Sequence, residues 1–133
     1  MELTSYIVYA LDRLPEPASD FHVIAEKAKN EFGTSLEYRQ IDVREVGALH
    51  KIVQEIADKE GRLDGLIAAA GIQQETPALD YTAEDANRMF EINITGVMMT
   101  AQAAAKQMIR FGNGGSIVLI ASMSGSFANR VRQ

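Results

Sequence analysis

Strand-like and helix-like stretches alternate along almost the whole chain, and that alternation restricts the fold more than any single motif does. Ser5-Tyr6-Ile7-Val8-Tyr9-Ala10-Leu11 is β-branched and aromatic, and the prolines of Asp12-Arg13-Leu14-Pro15-Glu16-Pro17 forbid its continuation. From Ser19 onward Phe21, Ile24, Ala25, Ala28 and Phe32 recur at helical spacing, with Gly33 as the stop. Leu36 to Ile41 alternates apolar and polar residues, as an edge or half-exposed strand does, and ends at Asp42-Val43. Val46, Leu49, Ile52, Val53 and Ile56 form a second helical stripe that ends near Gly61. Leu63 to Gly71 is a short apolar strand finishing in small residues. Thr82-Ala83-Glu84-Asp85 has the form of a helix start, a hydroxyl cap followed by acids, and its helix runs to about Phe111. Gly114 to Gly125 closes the series with Ile117-Val118-Leu119-Ile120, an apolar run bounded by glycines that reads as a strand buried on both faces. The order β-α-β-α-β-α-β predicts an α/β fold, a doubly wound parallel sheet in one domain over residues 1–133.

In such sheets ligands collect outside the carboxyl ends of the strands, so the hydroxyl of Ser122, just past the last strand, stands where chemistry is expected. Composition narrows what that chemistry can be. Eighteen acids against thirteen lysines and arginines give a net charge of −5, which disfavours a nucleic-acid or anionic-membrane surface. With no cysteine there is neither a disulfide framework nor a thiolate nucleophile, in keeping with a cytoplasmic setting. No apolar run approaches the ~18 residues of a membrane span, and Met1-Glu2-Leu3-Thr4 lacks the basic start of a signal peptide. His22 and His50 have no partner at metal-ligand spacing, so no metal site is expected. Ala121-Ser122-Met123 lacks the glycines that flank a hydrolase nucleophile.

Four short motifs, in order and on the expected elements, carry a resemblance: Asp42-Val43, Ala70-Gly71-Ile72, Asn93-Ile94-Thr95-Gly96, and Gly115-Ser116-Ile117-Val118 leading to Ser122 and Gly125. The chain resembles the central part of a short-chain dehydrogenase/reductase, a family of NAD(P)-dependent oxidoreductases on a Rossmann fold. The resemblance implies an adenine site at Asp42 and Val43, with Ala70 and Gly71 also on the cofactor. It further implies a proton-relay water held by Asn93 and a substrate carbonyl oriented by Ser122. Asp12, at the end of the family's second strand, would accept hydrogen bonds from the adenosine ribose and repel the phosphate of NADP, which favours NAD. Arg13 counters that preference, since an arginine there pairs with a 2′-phosphate.

Two family features are absent from the sequence. No glycine-rich turn follows a strand, and the chain aligns from about the family's second strand onward, so the expected fold is Rossmann-like but lacks the first strand and the C-terminal part. The tyrosines Tyr6, Tyr9, Tyr38 and Tyr81 are followed four residues later by Ala10, Arg13, Asp42 and Asp85, so there is no Tyr-x-x-x-Lys acid/base pair. Ala68-Ala69 stands where the family usually has an asparagine. The expected activity is oxidation or reduction of a small alcohol/carbonyl pair, a polyol or sugar among the options, inactive in a chain of this length. The alternative is a non-catalytic adenosine-binding or interaction module. Without a first strand, Ile7 to Ala10 is expected beside Leu66 to Ala69 in a contracted four-stranded sheet. An uncovered Ala101 to Ile109 surface would then promote homo-oligomers through the helix at 82–111.

Overall fold

The structure is a computed structural model and describes residues 6–126. Ser5, Met1-Glu2-Leu3-Thr4 and Gln133 lie outside the described residues. The chain divides into two units, Met1–Asp42 and Val43–Gln133.

The first unit is a β-α-β motif of β1 (Ile7–Asp12), α1 (Phe21–Phe32) and β2 (Ser35–Gln40). The strands run parallel, from Ile7 opposite Ser35 to Asp12 opposite Gln40. Parallel neighbours need a crossover between them, and α1 supplies it. Gly33, at φ 65°, ends α1 in the left-handed region, where the N–H groups of Gly33 and Thr34 close on the carbonyls of Lys29 and Ala28. Phe21, at the start of α1, meets the Tyr38 ring edge-on at 5.8 Å. The Tyr38 hydroxyl donates to the Leu14 carbonyl at 2.6 Å, so this ring also anchors the proline-rich loop after β1.

The second unit contains α2 (Val46–Glu60), β3 (Gly65–Ala68), α3 (Ala83–Phe90), a π-helical turn (Glu91–Gly96), α4 (Val97–Phe111), β4 (Ser116–Leu119) and a 3-10 turn (Met123–Gly125). Its core is the contact of α2 with α4. Leu49, Val53, Ile56 and Ala57 from α2 are buried, as are Ala103, Ala104 and Met108 from α4. The alanines contribute little volume, which lets the two helices approach closely. The Arg110 guanidinium donates to the Asp58 carboxylate at 2.6 Å across the same pair of helices. After α4, the bare Cα of Gly115 lies against Met108: an added Cβ would stand 2.5 Å from its sulfur.

Four sequence expectations need correction. Among the described residues β1 pairs with β2, and β3 with β4, as two parallel two-stranded sheets, so the expected pairing of Ile7–Ala10 with Leu66–Ala69 in a contracted four-stranded sheet is not present there. β4 is exposed along its whole length, not buried on both faces, because β3 is its only strand neighbour among the described residues. The strand expected from Leu63 to Gly71 is confined to Gly65–Ala68; the Asp64 carbonyl accepts from Ser116 N–H at its start, and Ala68 accepts from Ile120 at its end. The Ala101 to Ile109 surface is largely covered inside the unit, with Ala103, Ala104, Gln107 and Met108 buried, whereas Ile109 is 80% exposed.

The predicted N-terminus at Thr82 is present. Its hydroxyl oxygen accepts from the Asp85 N–H at 3.1 Å and donates to the Asp85 carboxylate at 2.7 Å. The Thr82 bond, with Gln74 acting in the same direction, holds the Asp85 carboxyl below its usual range. A lowered folded-state value means that this contribution is fully present above the ordinary carboxylate value of about 3.9 and is lost as pH falls through the lowered one. Thr82→Ala is expected to cost about 1 kcal/mol at neutral pH, read as a lower urea midpoint at unchanged slope. The difference from wild type should shrink on acidification below that carboxylate range.

Candidate functional site

In the second unit the candidate residues converge on the carboxyl edge of the β3–β4 sheet. Parallel register places Ala68 opposite Leu119, so Ala70 and Gly71 leave the sheet at the same edge as Ser122. Ala69, Ala70, Gly71 and Ser122 are all exposed. Small residues at that edge leave main chain that another molecule can approach closely.

Asn93 holds this edge in place. The Ile72 N–H donates to Asn93 Oδ1 at 2.8 Å, and Asn93 Nδ2 donates to the Ile72 carbonyl at 2.8 Å. A side-chain amide carries the same donor and acceptor as a peptide, so Asn93 satisfies both main-chain groups of Ile72 as a neighbouring strand would. Gly71 completes the fit, since a Cβ there would stand 3.4 Å from Asn93 Oδ1. Asn93 lies in the π-helical turn, where one extra residue widens the helix. What the Asn93 side chain retains for a water is the second Nδ2 hydrogen and the second Oδ1 lone pair. This clamp was not foreseen from sequence; the signal available for it was an asparagine and a glycine three residues apart inside an otherwise good helix.

A second tie acts further along the same loop. Arg88, on α3, donates to the Gln74 side-chain oxygen at 2.8 Å, and Gln74 donates to Thr76 Oγ1 at 3.2 Å. Ser122 caps the 3-10 turn, its Oγ accepting from Ser124 N–H at 3.2 Å. That leaves the Ser122 O–H proton directed by whatever acceptor comes near. Val43 packs against the π-helical turn at Gly96.

In the first unit Asp12 is the last residue of β1 and is exposed. Its Oδ1 accepts from Leu14 N–H at 3.0 Å, and its second oxygen accepts no hydrogen bond among the described residues. The Ile41 N–H donates to the Asp12 carbonyl at 2.8 Å, so Asp42 begins where β2 leaves the sheet, at the same edge as Asp12. Burial, then the charges of Asp12 and Glu16, push the nearby Tyr38 hydroxyl above its usual range. That is the wrong direction for a tyrosine acid near neutral pH. Among the described residues no group of three or more His, Cys, Asp or Glu is arranged to hold a metal ion, and no helix is long and apolar enough to cross a membrane.

The sequence profile of the short chain dehydrogenase family matches residues 5–132, and the chain belongs to that family. It is 40% identical over 87 residues to a putative short-chain type dehydrogenase/reductase of Mycolicibacterium smegmatis, covering 65% of this chain and 31% of the relative. To an NADH-dependent L-xylulose reductase of Ambrosiozyma monospora it is 37% identical over 90 residues, 66% of this chain and 33% of that one. The solved structure of an NAD+-bound xylitol dehydrogenase superposes with a TM-score of 0.75 at 29% identity, over 94% of this chain and 46% of the other. The matched region thus spans about a third of the length of these curated relatives. Its fold is Rossmann-like α/β with parallel strands, and members of the family bind NAD(P).

Taken separately, the first unit offers an exposed carboxylate at the end of β1, of a kind that accepts hydrogen bonds from a ribose, and the second offers small exposed residues after β3 beside the loop that Asn93 holds. The chain has no glycine-rich turn after a strand to take the pyrophosphate. Asn93→Ala removes both bonds to Ile72, at about 1 kcal/mol each. Amide hydrogen exchange at Ile72 should accelerate strongly in this variant, while the exchange of Leu49 and Val53 in the α2 core changes little.

Proposed function

We propose that this chain is the cofactor-facing and serine-bearing part of an NAD(P)-dependent oxidoreductase acting on a small alcohol/carbonyl pair, with a polyol or sugar as the substrate class. The observation that carries the reading is the double hydrogen bond of Asn93 to Ile72, which supports the loop after β3 at the edge where Ser122 stands. Similarity to an L-xylulose reductase and a xylitol dehydrogenase supports the polyol or sugar assignment.

In this reading Asp12 accepts from the adenosine ribose through the oxygen that Leu14 leaves free, and it repels a 2′-phosphate. Arg13 is exposed and could favour that phosphate, but it follows the carboxylate by one residue and NAD remains preferred. Asp42 and Val43 contact the adenine, the first by side chain and the second by main chain, and Ala70 and Gly71 line the approach of the second ribose. The bound nicotinamide supplies or accepts the hydride. Ser122 orients the substrate carbonyl by a hydrogen bond from its hydroxyl, its Oγ being held by Ser124 N–H. Asn93 orders a water through the valences that Ile72 does not use.

Carbonyl reduction also needs a proton donor with a pKa near the working pH, and no Tyr-x-x-x-Lys pair exists in this sequence. A second reading for the chain by itself is a non-catalytic adenosine-binding or interaction module, which the exposed Asp12 carboxylate at the end of β1 would serve. Self-association through residues 82–111 belongs to either reading, with Phe90, Ile94, Met98 and Ile109 as the large apolar side chains exposed on that stretch.

Calorimetric titration of the full chain tests the assignment. NAD should bind more tightly than NADP, and Asp12→Ala should narrow the preference by about tenfold. Binding of neither nucleotide would overturn the dinucleotide reading. No turnover of NADH with small ketones or ketoses is expected from this chain, and turnover above background would show that another group supplies the proton.

A further inference from the structure

Gly96 occupies a position where a glycine works against the element that contains it. It lies at the end of the π-helical turn, directly before α4, and glycine is among the weakest helix formers. It is also buried. The reason for its presence is Val43: a Cβ on Gly96 would stand 2.6 Å from Val43 Cγ2 and 3.1 Å from Val43 Cβ. Carbon atoms in contact sit at about 3.5–4.0 Å, so the notch left by the missing side chain is filled by the valine.

We propose that Gly96 is a positioning residue for the adenine end of the cofactor, acting through the side chain of Val43. This rests on the dinucleotide reading above. Valine is stiff at χ1, so its methyl cannot swing clear of a new Cβ. The helix after it cannot yield either, because Leu49, Val53, Ile56 and Ala57 lock α2 in the core. Relief must come from the main chain at Val43, which is the part assigned to the adenine contact. Three residues before Gly96, Asn93 holds the Ile72 peptide. One π-helical turn therefore sets the main chain of two cofactor-facing segments at once, Val43 through a notch and Ile72 through an amide clamp.

The test uses the full 133-residue chain with Gly96→Ala and with Gly96→Ala combined with Val43→Ala, the second change reopening the space. Two quantities are read: affinity for NAD by calorimetry, and the amide resonances of Val43 and Ile72 without nucleotide. Gly96→Ala should weaken NAD about tenfold and shift the Val43 amide, and the double variant should recover most of both. An unchanged affinity and an unchanged Val43 amide in Gly96→Ala would overturn the proposal. So would a double variant that stays weak or stays unfolded where Gly96→Ala alone unfolds. A wild-type chain that binds no NAD defeats the dinucleotide reading and with it the adenine role of Gly96, whereas binding that Gly96→Ala leaves intact defeats the positioning role alone.

Discussion

The second unit depends on a single amide side chain doing the work of a strand. Past Ala68 the main chain leaves the β3–β4 sheet and has no strand to bond with, yet the Ile72 peptide is half-buried and needs its donor and acceptor satisfied. Asn93 meets both needs with two bonds of 2.8 Å. Net contributions of about 1 kcal/mol per bond are modest, but each unmet group would cost more than the bond is worth. The clamp therefore decides where the loop goes more than how stable the unit is.

A π-helical turn is the backbone feature that makes this possible. An uninterrupted α-helix through Glu91–Gly96 would be the better local solution for most of its residues, and the wider turn persists because contacts outside the helix compensate for it. Those contacts are Ile72 at Asn93 and Val43 at Gly96. The loop after Ile72 is tied a second time, by Arg88 to Gln74, so the segment from Gly71 to Thr76 is fastened to the α3 and π-helical stretch at two separate points. Hydrophobic packing, in contrast, is concentrated at the α2–α4 contact, some way along the chain from the site. Stability and positioning are carried by different residues.

The uncovered surfaces follow from strand number. Among the described residues each sheet has two strands, so each strand has an edge with no described strand beside it, and β4 is exposed along its length. An apolar run such as Ile117-Val118-Leu119-Ile120 is what a strand in the middle of a covered parallel sheet looks like. The relatives are two to three times as long as the matched region.

The order of elements, the parallel class of the strands, the Thr82 cap and the glycine stop of α1 were all legible in the sequence, because each depends on residues within a few positions of one another. The candidate residues Asp12, Asp42, Val43, Ala70, Gly71, Asn93 and Ser122 were named from short motifs, and the sequence placed those motifs at strand ends and on one helix. Strand neighbours were not legible: whether Ile7–Ala10 pairs with Ser35–Tyr38 alone or also with Leu66–Ala69 is a competition between distant segments, and local pattern carries no term for it. Nor could the sequence tell that Asn93 spends its amide on Ile72, or that Gly96 is bare to admit Val43. Those partners are 21 and 53 positions away, and only the folded chain brings a side chain and a distant main chain within 3 Å of each other, or leaves a valine no room beside a Cβ.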